Sequence, residues 1–446
     1  MTESKKRELY HKQARDIQQL FRHGLEEVSP ENIVRSSVTL EEDRLTICGR
    51  SYAVPGDRRI WVFGSGKAAG RMALELENIL GKRVYDGIVI CPYGLKTDTG
   101  RIQQFEAAHP VPDLNSLTAT YELVEVAADV REDDLVIYLI SGGSSSLLCM
   151  PAEELEFEEV RALYRHLLQS GAPIGEVNRI RKSISLVKGG KLRPHFGGAT
   201  VELLAVSDVP GNDPADIGSG PLVDDHISPG EALELMRKYD IDKKIPSAVV
   251  RFLERGGVKN PGAQGLSGFK THVTVVASAE KVAESVRRQA EDMGYKAWLD
   301  TDFVTGEARQ VAKKIAEKAV DVLARGKPVA KPAALIFFGE TTVTVKGSGK
   351  GGRNQELALS AAMALEGRHC ITLLSGGTDG RDGETNAAGA VVNGQSALDA
   401  REKGIEPESF LENNDSWTFF NRTGGLLVTG VTGNNLMDIQ IVLVEK

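Results

Sequence analysis

The stretch from Lys346 to Glu356 combines backbone freedom with positive charge. It contains four glycines, two lysines and Arg353. Glycine lets a backbone approach a ligand closely, and successive N–H groups in such turns can form an anion site. Arginine can bind a phosphate or carboxylate through two parallel hydrogen bonds. Because a predicted helix over residues 355–365 follows directly and helix N-termini favour anions, the stretch predicts a phosphate or carboxylate site.

Two further loops follow predicted buried strands. Residues 64–67 (Gly-Ser-Gly-Lys) follow a strand at Arg58–Phe63, and residues 141–146 (Ser-Gly-Gly-Ser-Ser-Ser) follow a strand at Asp134–Ile140. Lys67 at a helix start opposes the helix dipole, which favours a role in binding a ligand. The serine loop offers hydroxyl and N–H groups to a phosphate or a hydroxy acid. The chain has no GxxxxGK[ST] motif and no GxSxG motif, so neither a P-loop nor a nucleophilic serine is indicated.

Charged side chains gather in three other places. Residues 178–191 carry five basic side chains, which form either a solvated basic face or one wall of an anion site. Asp208 follows a predicted buried strand at Val201–Val206, and Asp379 lies in the acidic loop 375–386. Carboxylates in these loops suit Mg²⁺ or a general base, since Mg²⁺ binds one or two carboxylates together with phosphate and water. The alternative for both loops is local Asx-turn chemistry.

A dinucleotide-binding turn is the competing interpretation of residues 64–70. The glycine spacing is GxGxxxG, whereas the nicotinamide fingerprint requires GxGxxG or GxGxxA, with Ala69 able to stand at the third position. Asp86 lies near the sequence distance expected for a ribose-binding carboxylate. A nicotinamide-dependent enzyme is therefore kept as an alternative.

The elements that must position these loops indicate an α/β protein. Short apolar strands alternate with amphipathic helices through short loops, which predicts a mostly parallel, Rossmann-like sheet covered on both faces. A second series of strands and helices is predicted to begin at His272. It includes a hairpin formed by residues 334–338 and 342–346. We therefore predict two α/β domains over residues 1–260 and 261–446, with the first helix, Leu9–Val28, free to pack on the second domain.

Composition limits the classes of function. The chain has 446 residues, 41% hydrophobic and 26% charged, with a net charge of −8. A negative balance disfavours nucleic-acid binding through a general basic surface. The apolar runs are too short to span a bilayer, and residues 1–10 lack the apolar core of a signal peptide. The four cysteines lie far apart, which favours reduced thiols and a cytoplasmic location.

Eight segments together resemble the class II glycerate kinases, whose carboxyl-terminal part is the MOFRL domain. The resemblance covers nearly the whole chain in order. It is carried by residues 64–68, 106–113, 141–147, 177–192, 207–221, 339–356, 375–390 and 413–433.

The resemblance implies a cytoplasmic enzyme that uses ATP and Mg²⁺ to phosphorylate D-glycerate, typically at the 2-hydroxyl. It also implies two α/β domains around a deep cleft. The family's catalytic lysine and arginine correspond to Lys67 and Arg353.

These considerations give an expected role to each candidate residue. Lys67 and Arg353 are assigned to the transferring phosphoryl group, and Asp208 to the proton of the glycerate hydroxyl, with Asp379 as its rival. Glu340 and Asp379 are assigned to the metal. The residues assigned to substrate or nucleotide binding are Ser65, Gly66, Ser141, Gly142, Gly143, Ser144, Ser145, Arg181, Lys188, Asn212, Lys350, Asn354 and Asp379.

Two alternatives to a glycerate kinase stay open. A hydroxypyruvate reductase would use the same small acid at another oxidation level, with NAD(P)H as its cofactor. A non-catalytic sensor of sugar acids or nucleotides would bind without turnover. The expected partners are small molecules, without nucleic acid or membrane, and the chain is expected to be a monomer or a homodimer.

Overall fold

The computed structural model describes residues 3–225, 228–259 and 265–445, and it divides into two compact units. The central unit is formed by residues 30–276. The terminal unit joins helix α1 (Glu3–Glu27) to the part of the chain that begins at residue 277. The domain boundary predicted between residues 260 and 261 lies outside the described residues.

The central unit is built on a six-stranded sheet with the order β6-β5-β4-β7-β8-β9. The pairs β6-β5, β5-β4, β4-β7 and β7-β8 are parallel, so the predicted parallel sheet is confirmed. From β4 the chain moves outward through β5 and β6, and from β7 it moves outward in the other direction. The point where this order reverses therefore lies between β4 and β7. The strands are β4 (Ile60–Ser65), β5 (Val84–Pro92), β6 (Ile102–Ala107), β7 (Leu135–Ile140), β8 (Thr200–Val206) and β9 (Thr271–Ala277).

Burial on both faces explains why the inner strands are continuous apolar runs. Every residue of β4 and of β7 is buried. Such strands lack the polar alternation of a half-exposed sheet because helices cover both faces. The helices of the central unit are α2 (Pro30–Ser37), α3 (Ala69–Leu80), α4 (Leu114–Ala127), α5 (Ser144–Leu147), α6 (Phe157–Gln169), α7 (Ile174–Lys182), α8 (Pro229–Lys238) and α9 (Ser247–Glu254).

A small antiparallel sheet, which the sequence did not predict, completes the described part of the central unit. Its strands are β1 (Val38–Glu41), β2 (Arg44–Ile47) and β3 (Arg50–Ala53). Arg50 donates two hydrogen bonds, of 2.7 and 2.8 Å, to the buried carboxylate of Glu202 on β8. This ion pair attaches the small sheet to the main one.

The terminal unit is built on a mixed sheet with the order β10-β12-β16-β13-β14-β15, and β11 pairs with the end of β12. β10 and β11 run parallel to β12, whereas the pairs β12-β16, β16-β13, β13-β14 and β14-β15 are antiparallel. The strands are β10 (Lys296–Leu299), β11 (Val304–Glu307), β12 (Ala333–Thr342), β13 (Ile371–Gly377), β14 (Gly389–Asn393), β15 (Leu426–Leu427) and β16 (Asp438–Val444).

Two expectations about strands are corrected. The strand at 271–277 does not begin the second domain, because it is β9 of the central sheet. A hairpin over residues 334–346 was also predicted, but the chain continues as a single strand to Thr342. The partners of β12 come instead from β10, β11 and β16, which are distant in the sequence.

Helix α1 packs within the terminal unit, although it comes first in the chain. Its apolar side chains Ile17, Leu20 and Phe21 are buried. The Gln13 amide donates to the Cys370 carbonyl oxygen at 3.1 Å and accepts from the Thr372 hydroxyl at 2.9 Å. The other helices of this unit are α10 (Ala279–Asp292), α11 (Ala308–Arg325), α12 (Arg353–Ala364), α13 (Ser396–Glu402), α14 (Pro407–Glu412) and α15 (Ser416–Thr423).

Within the described ranges, no helix combines the length and the apolar character needed to cross a membrane.

Candidate active site

The loops after β4 and β7 hold each other by hydrogen bonds at the point where the strand order reverses. The Lys67 N–H donates to the Gly142 carbonyl oxygen at 2.9 Å, and the Ala68 N–H donates to the Ser141 hydroxyl at 3.0 Å. The Ser65 and Ser144 hydroxyl oxygens lie 2.6 Å apart. In open α/β sheets ligands bind beyond the carboxyl ends of strands at such a reversal. The structure therefore brings the two predicted loops together where a ligand is expected.

Two glycines allow three functional side chains to approach the loop after β7. A Cβ on Gly142 would overlap the carboxylate of Asp208. Gly143 has a φ of +90°, and a Cβ there would lie 3.0 Å from the His109 ring and 3.5 Å from the Lys67 side chain. Only glycine combines this backbone conformation with such close approach. The backbone of these two glycines is thus in close contact with the side chains of Lys67, His109 and Asp208.

A pocket of about 170 Å³ opens beside this loop. Its volume is below the range usual for drug-sized ligands, so it suits a small molecule. Its lining includes His109, Gly143, Ser145, Asn178, Arg181 and Asp208.

Arg181 is a buried cation in the wall of this pocket. It is 5% exposed, and its Nε has no hydrogen-bond partner among the residues that the structure describes. The guanidinium lies 4.7 Å from the Tyr164 ring and donates a long bond of 3.4 Å to the Asn178 amide oxygen. Burial lowers the pKa of Arg181 below its usual range. A buried guanidinium with a donor left over beside a cavity favours binding of an anion.

His109 was not among the candidate residues, although it lies within the segment 106–113 quoted for the resemblance. Burial, together with the charges of Lys67 and Arg181, lowers the pKa of His109 to about 4. The imidazole is therefore neutral at pH 7 and can both donate and accept a hydrogen bond. A single histidine in the sequence gives no sign that two cations will lie close to it.

Of the predicted ligands of the central unit, three line the pocket: Gly143, Ser145 and Arg181. Those that do not line it are Ser65, Gly66, Ser141, Gly142 and Ser144, which belong to the two loops described above, and Lys188 and Asn212. Lys188 is fully buried and its ammonium donates to the Leu148 carbonyl oxygen, while burial lowers its pKa to about 8. Asn212 lies in the loop after β8, in a left-handed backbone conformation with a φ of 55°. Residues 178–191 contain five basic side chains, and Arg181 is the one that lines this pocket. The basic run as a whole therefore does not form a wall of the site.

In the terminal unit, the glycine-rich stretch does not present the N–H cradle that the sequence predicted. The N–H groups of Lys346 and Gly347 donate to the Asn414 side chain at 2.8 and 3.0 Å. Those of residues 348–350 donate to Asn413 and Asp415. The glycines allow residues 346–350 to pack closely against residues 413–415. The predicted ligand of these N–H groups is therefore replaced by another segment of the chain.

The N-terminus of α12 is likewise occupied by the protein itself. The Asp382 carboxylate accepts from the N–H groups of Asn354 and Gln355 at 3.1 and 2.8 Å. A Cβ on Gly352 would overlap this carboxylate. Burial raises the pKa of Asp382 to about 6, against the opposing effect of these hydrogen bonds. The helix does bind an anion as predicted, but the anion is an internal carboxylate.

Arg353 is held in place by two other carboxylates. Its guanidinium makes a bidentate pair with the fully buried Asp438, at 2.6 and 3.0 Å, and contacts Glu340 at 2.6 Å. Burial acts to lower its pKa, but Asp438 and Glu340 outweigh burial and raise the pKa above its usual range. A guanidinium has five N–H donors, so these contacts leave two for a ligand. The side chain is 32% exposed, which makes those donors accessible.

Carboxylates on neighbouring strands suit a magnesium ion. Asp438 pairs in register with Gly339 on β12 and with Gly377 on β13, so Glu340 follows one partner directly and Asp379 follows the other by two residues. Among the described residues, no group of three His, Cys, Asp or Glu side chains forms a closed metal site. Mg²⁺ binds through one or two carboxylates plus phosphate oxygens and water, so this donor set fits a metal that arrives with a nucleotide.

Two family profiles match the chain. One, described as a domain of unknown function (DUF4147), matches residues 16–254, and the MOFRL family matches residues 333–438.

Named relatives and a solved structure agree with these profiles. The chain is 41% identical to the D-glycerate 2-kinase of Thermotoga maritima over 86% of its own length and 91% of the relative. It is 38% identical, over 86% of its length and 99% of the relative, to an Agrobacterium vitis protein provisionally named hydroxypyruvate reductase. The crystal structure of a glycerate kinase from Thermotoga maritima superposes with a TM-score of 0.86, at 36% identity, over 97% of this chain and all of that one.

Proposed function

The chain belongs to the class II glycerate kinase (MOFRL) family, and we propose that it transfers the γ-phosphoryl group of ATP to the 2-hydroxyl of D-glycerate. The products are 2-phosphoglycerate and ADP. The spacing of the cysteines fits the reducing cytoplasm as the location.

The observation that carries this proposal is the buried guanidinium of Arg181, whose Nε has no hydrogen-bond partner within the described ranges. It lines a pocket of about 170 Å³ whose other polar groups include Asp208, His109 and Asn178. A small hydroxy acid supplies what such a pocket needs, because its carboxylate pairs with the guanidinium and its hydroxyls bond to the remaining groups. Glycerate is an acid of this size and chemistry.

Phosphoryl transfer depends on positioning and on neutralising charge rather than on covalent chemistry. Asp208 lies over Gly142, at the edge of the pocket, where its carboxylate would accept or orient the proton of the glycerate hydroxyl. Lys67 approaches the same loop and would neutralise the incoming phosphoryl group. Ser141, Ser144 and the N–H groups around them hold the loop in shape.

In the terminal unit, Arg353 is proposed to donate its two remaining N–H groups to the phosphoryl oxygens. Asp438 and Glu340 fix the orientation of its guanidinium before the nucleotide binds. Glu340 and Asp379 would supply carboxylate oxygens to Mg²⁺, and the bound ion would neutralise charge on the phosphate oxygens. Asp379 thus remains a proposed metal ligand, and Asp208 is preferred to it as the base.

An assay of ADP release with ATP, Mg²⁺ and D-glycerate tests the function. Phosphorus NMR of the product distinguishes 2-phosphoglycerate, which we expect, from 3-phosphoglycerate, which would contradict the proposed position. Failure of folded protein to release ADP with D-glycerate would reject the kinase.

Replacing Asp208 with asparagine should lower kcat by about 10²–10⁴, the usual contribution of a general base. The amide keeps the size of the side chain but cannot take the hydroxyl proton. Steady-state kinetics of Asp208→Asn and of Asp213→Asn, a matched change at an exposed-loop carboxylate nearby, measures the difference. An unchanged kcat in Asp208→Asn would remove Asp208 from the mechanism.

Replacing Arg181 with methionine should raise the KM for glycerate about ten- to hundredfold, the value of a charge-assisted hydrogen bond. Thermal unfolding of the same protein shows whether the variant keeps its fold. Arg193→Met is the matched control. Arg193 is also fully buried, but it donates to Thr271, Gly197 and Ala199, so its loss should lower the melting temperature and leave the KM unchanged. Equal effects of the two changes on the KM would contradict the role of Arg181.

A hydroxypyruvate reductase is the second candidate, because one relative carries that name. The structure weakens the sequence argument for it. Asp86 lies opposite Trp61 near the start of β5, at the other end of the strands from the loop 64–67. The ribose-binding carboxylate of a dinucleotide fold must lie at the carboxyl end. We expect no oxidation of NADH when hydroxypyruvate is added. The absorbance of NADH measures this directly.

A further inference from the structure

A second pocket, of about 480 Å³, lies in the terminal unit. We propose that it binds the purine base of the nucleotide, with the indole ring of Trp417 as the stacking surface; this inference rests on the proposed function. The pocket is lined by Lys350, Gly380, Arg381, Glu384, Thr385, Asn386, Trp417, Gly430 and Val431.

Trp417 is presented as an ordered platform. Its ring is only partly buried, and its Nε1 donates to the Asn386 side chain at 3.2 Å, which fixes the plane of the ring. Val431, on the other loop of the pocket, is 61% exposed. Exposed apolar and aromatic side chains in one pocket favour a planar ligand, since every nucleobase can stack on an aromatic face.

The cations of this pocket suit the phosphates of the same ligand. The Lys350 ammonium lies over the Trp417 ring, 4.2 Å from its centre, so a base that stacks on this face would displace the ammonium toward the phosphates. The exposed Arg381 lines the pocket as well. A free base would need only the ring, whereas a nucleotide also needs positive charge beside it. The lining also contains the negative charge of Glu384, so the net charge of the lining residues is +1.

One loop of the chain joins the lining of the pocket to the residues around Arg353. This loop runs from Asp379, the proposed metal ligand, past Arg381, to Asp382, which caps the helix that begins at Arg353. Gly380 has a φ of +82° and packs against the Gly430 carbonyl, which holds the two loops of the pocket together. A nucleotide whose base lies on Trp417 therefore has a path for its phosphates along this loop.

The test compares nucleotide binding in Trp417→Ala, Trp417→Phe and Trp298→Phe. Equilibrium dialysis with ADP measures binding without turnover, and steady-state kinetics gives the KM values for ATP and glycerate. We expect about tenfold weaker ADP binding and a matching rise in the KM for ATP in Trp417→Ala, with the KM for glycerate unchanged. Trp417→Phe keeps an aromatic face and should stay within about threefold of the wild type. Trp298, which packs edge-to-face against Phe337 and does not line the pocket, controls for loss of any tryptophan.

Inorganic tripolyphosphate serves as a baseless probe. Equal binding of it to the wild type and to Trp417→Ala supports a contact with the base, whereas a loss as large as that for ADP overturns it. Unchanged ADP binding in Trp417→Ala also overturns the proposal. The two proposals can fail separately. If the wild type binds ADP but does not phosphorylate glycerate, and Trp417→Ala weakens that binding, the proposed function is rejected and the nucleotide pocket is retained.

Discussion

Replacing Arg353 with alanine should lower kcat by about 10³–10⁵, the range associated with an arginine that stabilises the transition state of phosphoryl transfer. The charge on the transferring group would lose its guanidinium partner. The change would also leave Asp438 buried without its bidentate partner, so the free energy of unfolding should fall as well. Steady-state kinetics and thermal unfolding of the same protein separate the two effects.

Two further variants define what Arg353 contributes. Arg353→Lys keeps the charge but cannot pair with Asp438 through two hydrogen bonds, so it should not restore kcat. Arg401→Ala removes an arginine from a surface cluster of Glu366, Glu406 and Glu408 and should leave kcat unchanged. A kcat within about tenfold of the wild type in Arg353→Ala would exclude a direct role in transfer.

Lys67→Met is the second change with a large expected effect, a fall in kcat of about 10²–10³, as for loss of one donor to developing charge. The lysine lies just before α3, where its charge opposes the helix dipole. Its removal should therefore stabilise the folded protein by about 0.3–1 kcal/mol. Slower turnover together with a higher melting temperature is the signature of a residue placed for function.

The matched control for Lys67 is Lys82→Met, at an exposed position of the same unit. It should change neither kcat nor the melting temperature beyond the small effects usual for surface positions. A Lys67→Met enzyme that keeps the wild-type kcat would show that the ammonium does not touch the transferring group.

The sequence predicted the parallel sheet and the two loops that follow β4 and β7 because both depend on local patterns. Buried strands such as Leu135–Ile140 are continuous apolar runs, and the glycine-serine loop that follows marks a strand end. The strand order was not predicted. The contact between Lys67 and Gly142 became visible only with the structure, because it depends on β4 and β7 being neighbours.

Other features could not be read from local patterns, because they depend on residues far apart in the chain. The N–H groups of the glycine-rich stretch donate to the side chains of Asn414 and Asp415. These partners are 68 and 65 positions away in the sequence. The Arg353–Asp438 pair spans 85 residues. His109 and Arg181 become informative only when burial is known, because charge and exposure together define a site.

The position of α1 within the terminal unit has a consequence for synthesis of the protein. The Gln13 amide bonds to Cys370, which is 357 residues later in the chain. At about 5–20 residues per second, roughly 20–70 s pass before this partner leaves the ribosome. The central unit can complete its own sheet during that interval, while the apolar face of α1 with Ile17, Leu20 and Phe21 still awaits the strands that will cover it. A helix that is made before the whole central unit is thus among the last elements to reach its native contacts.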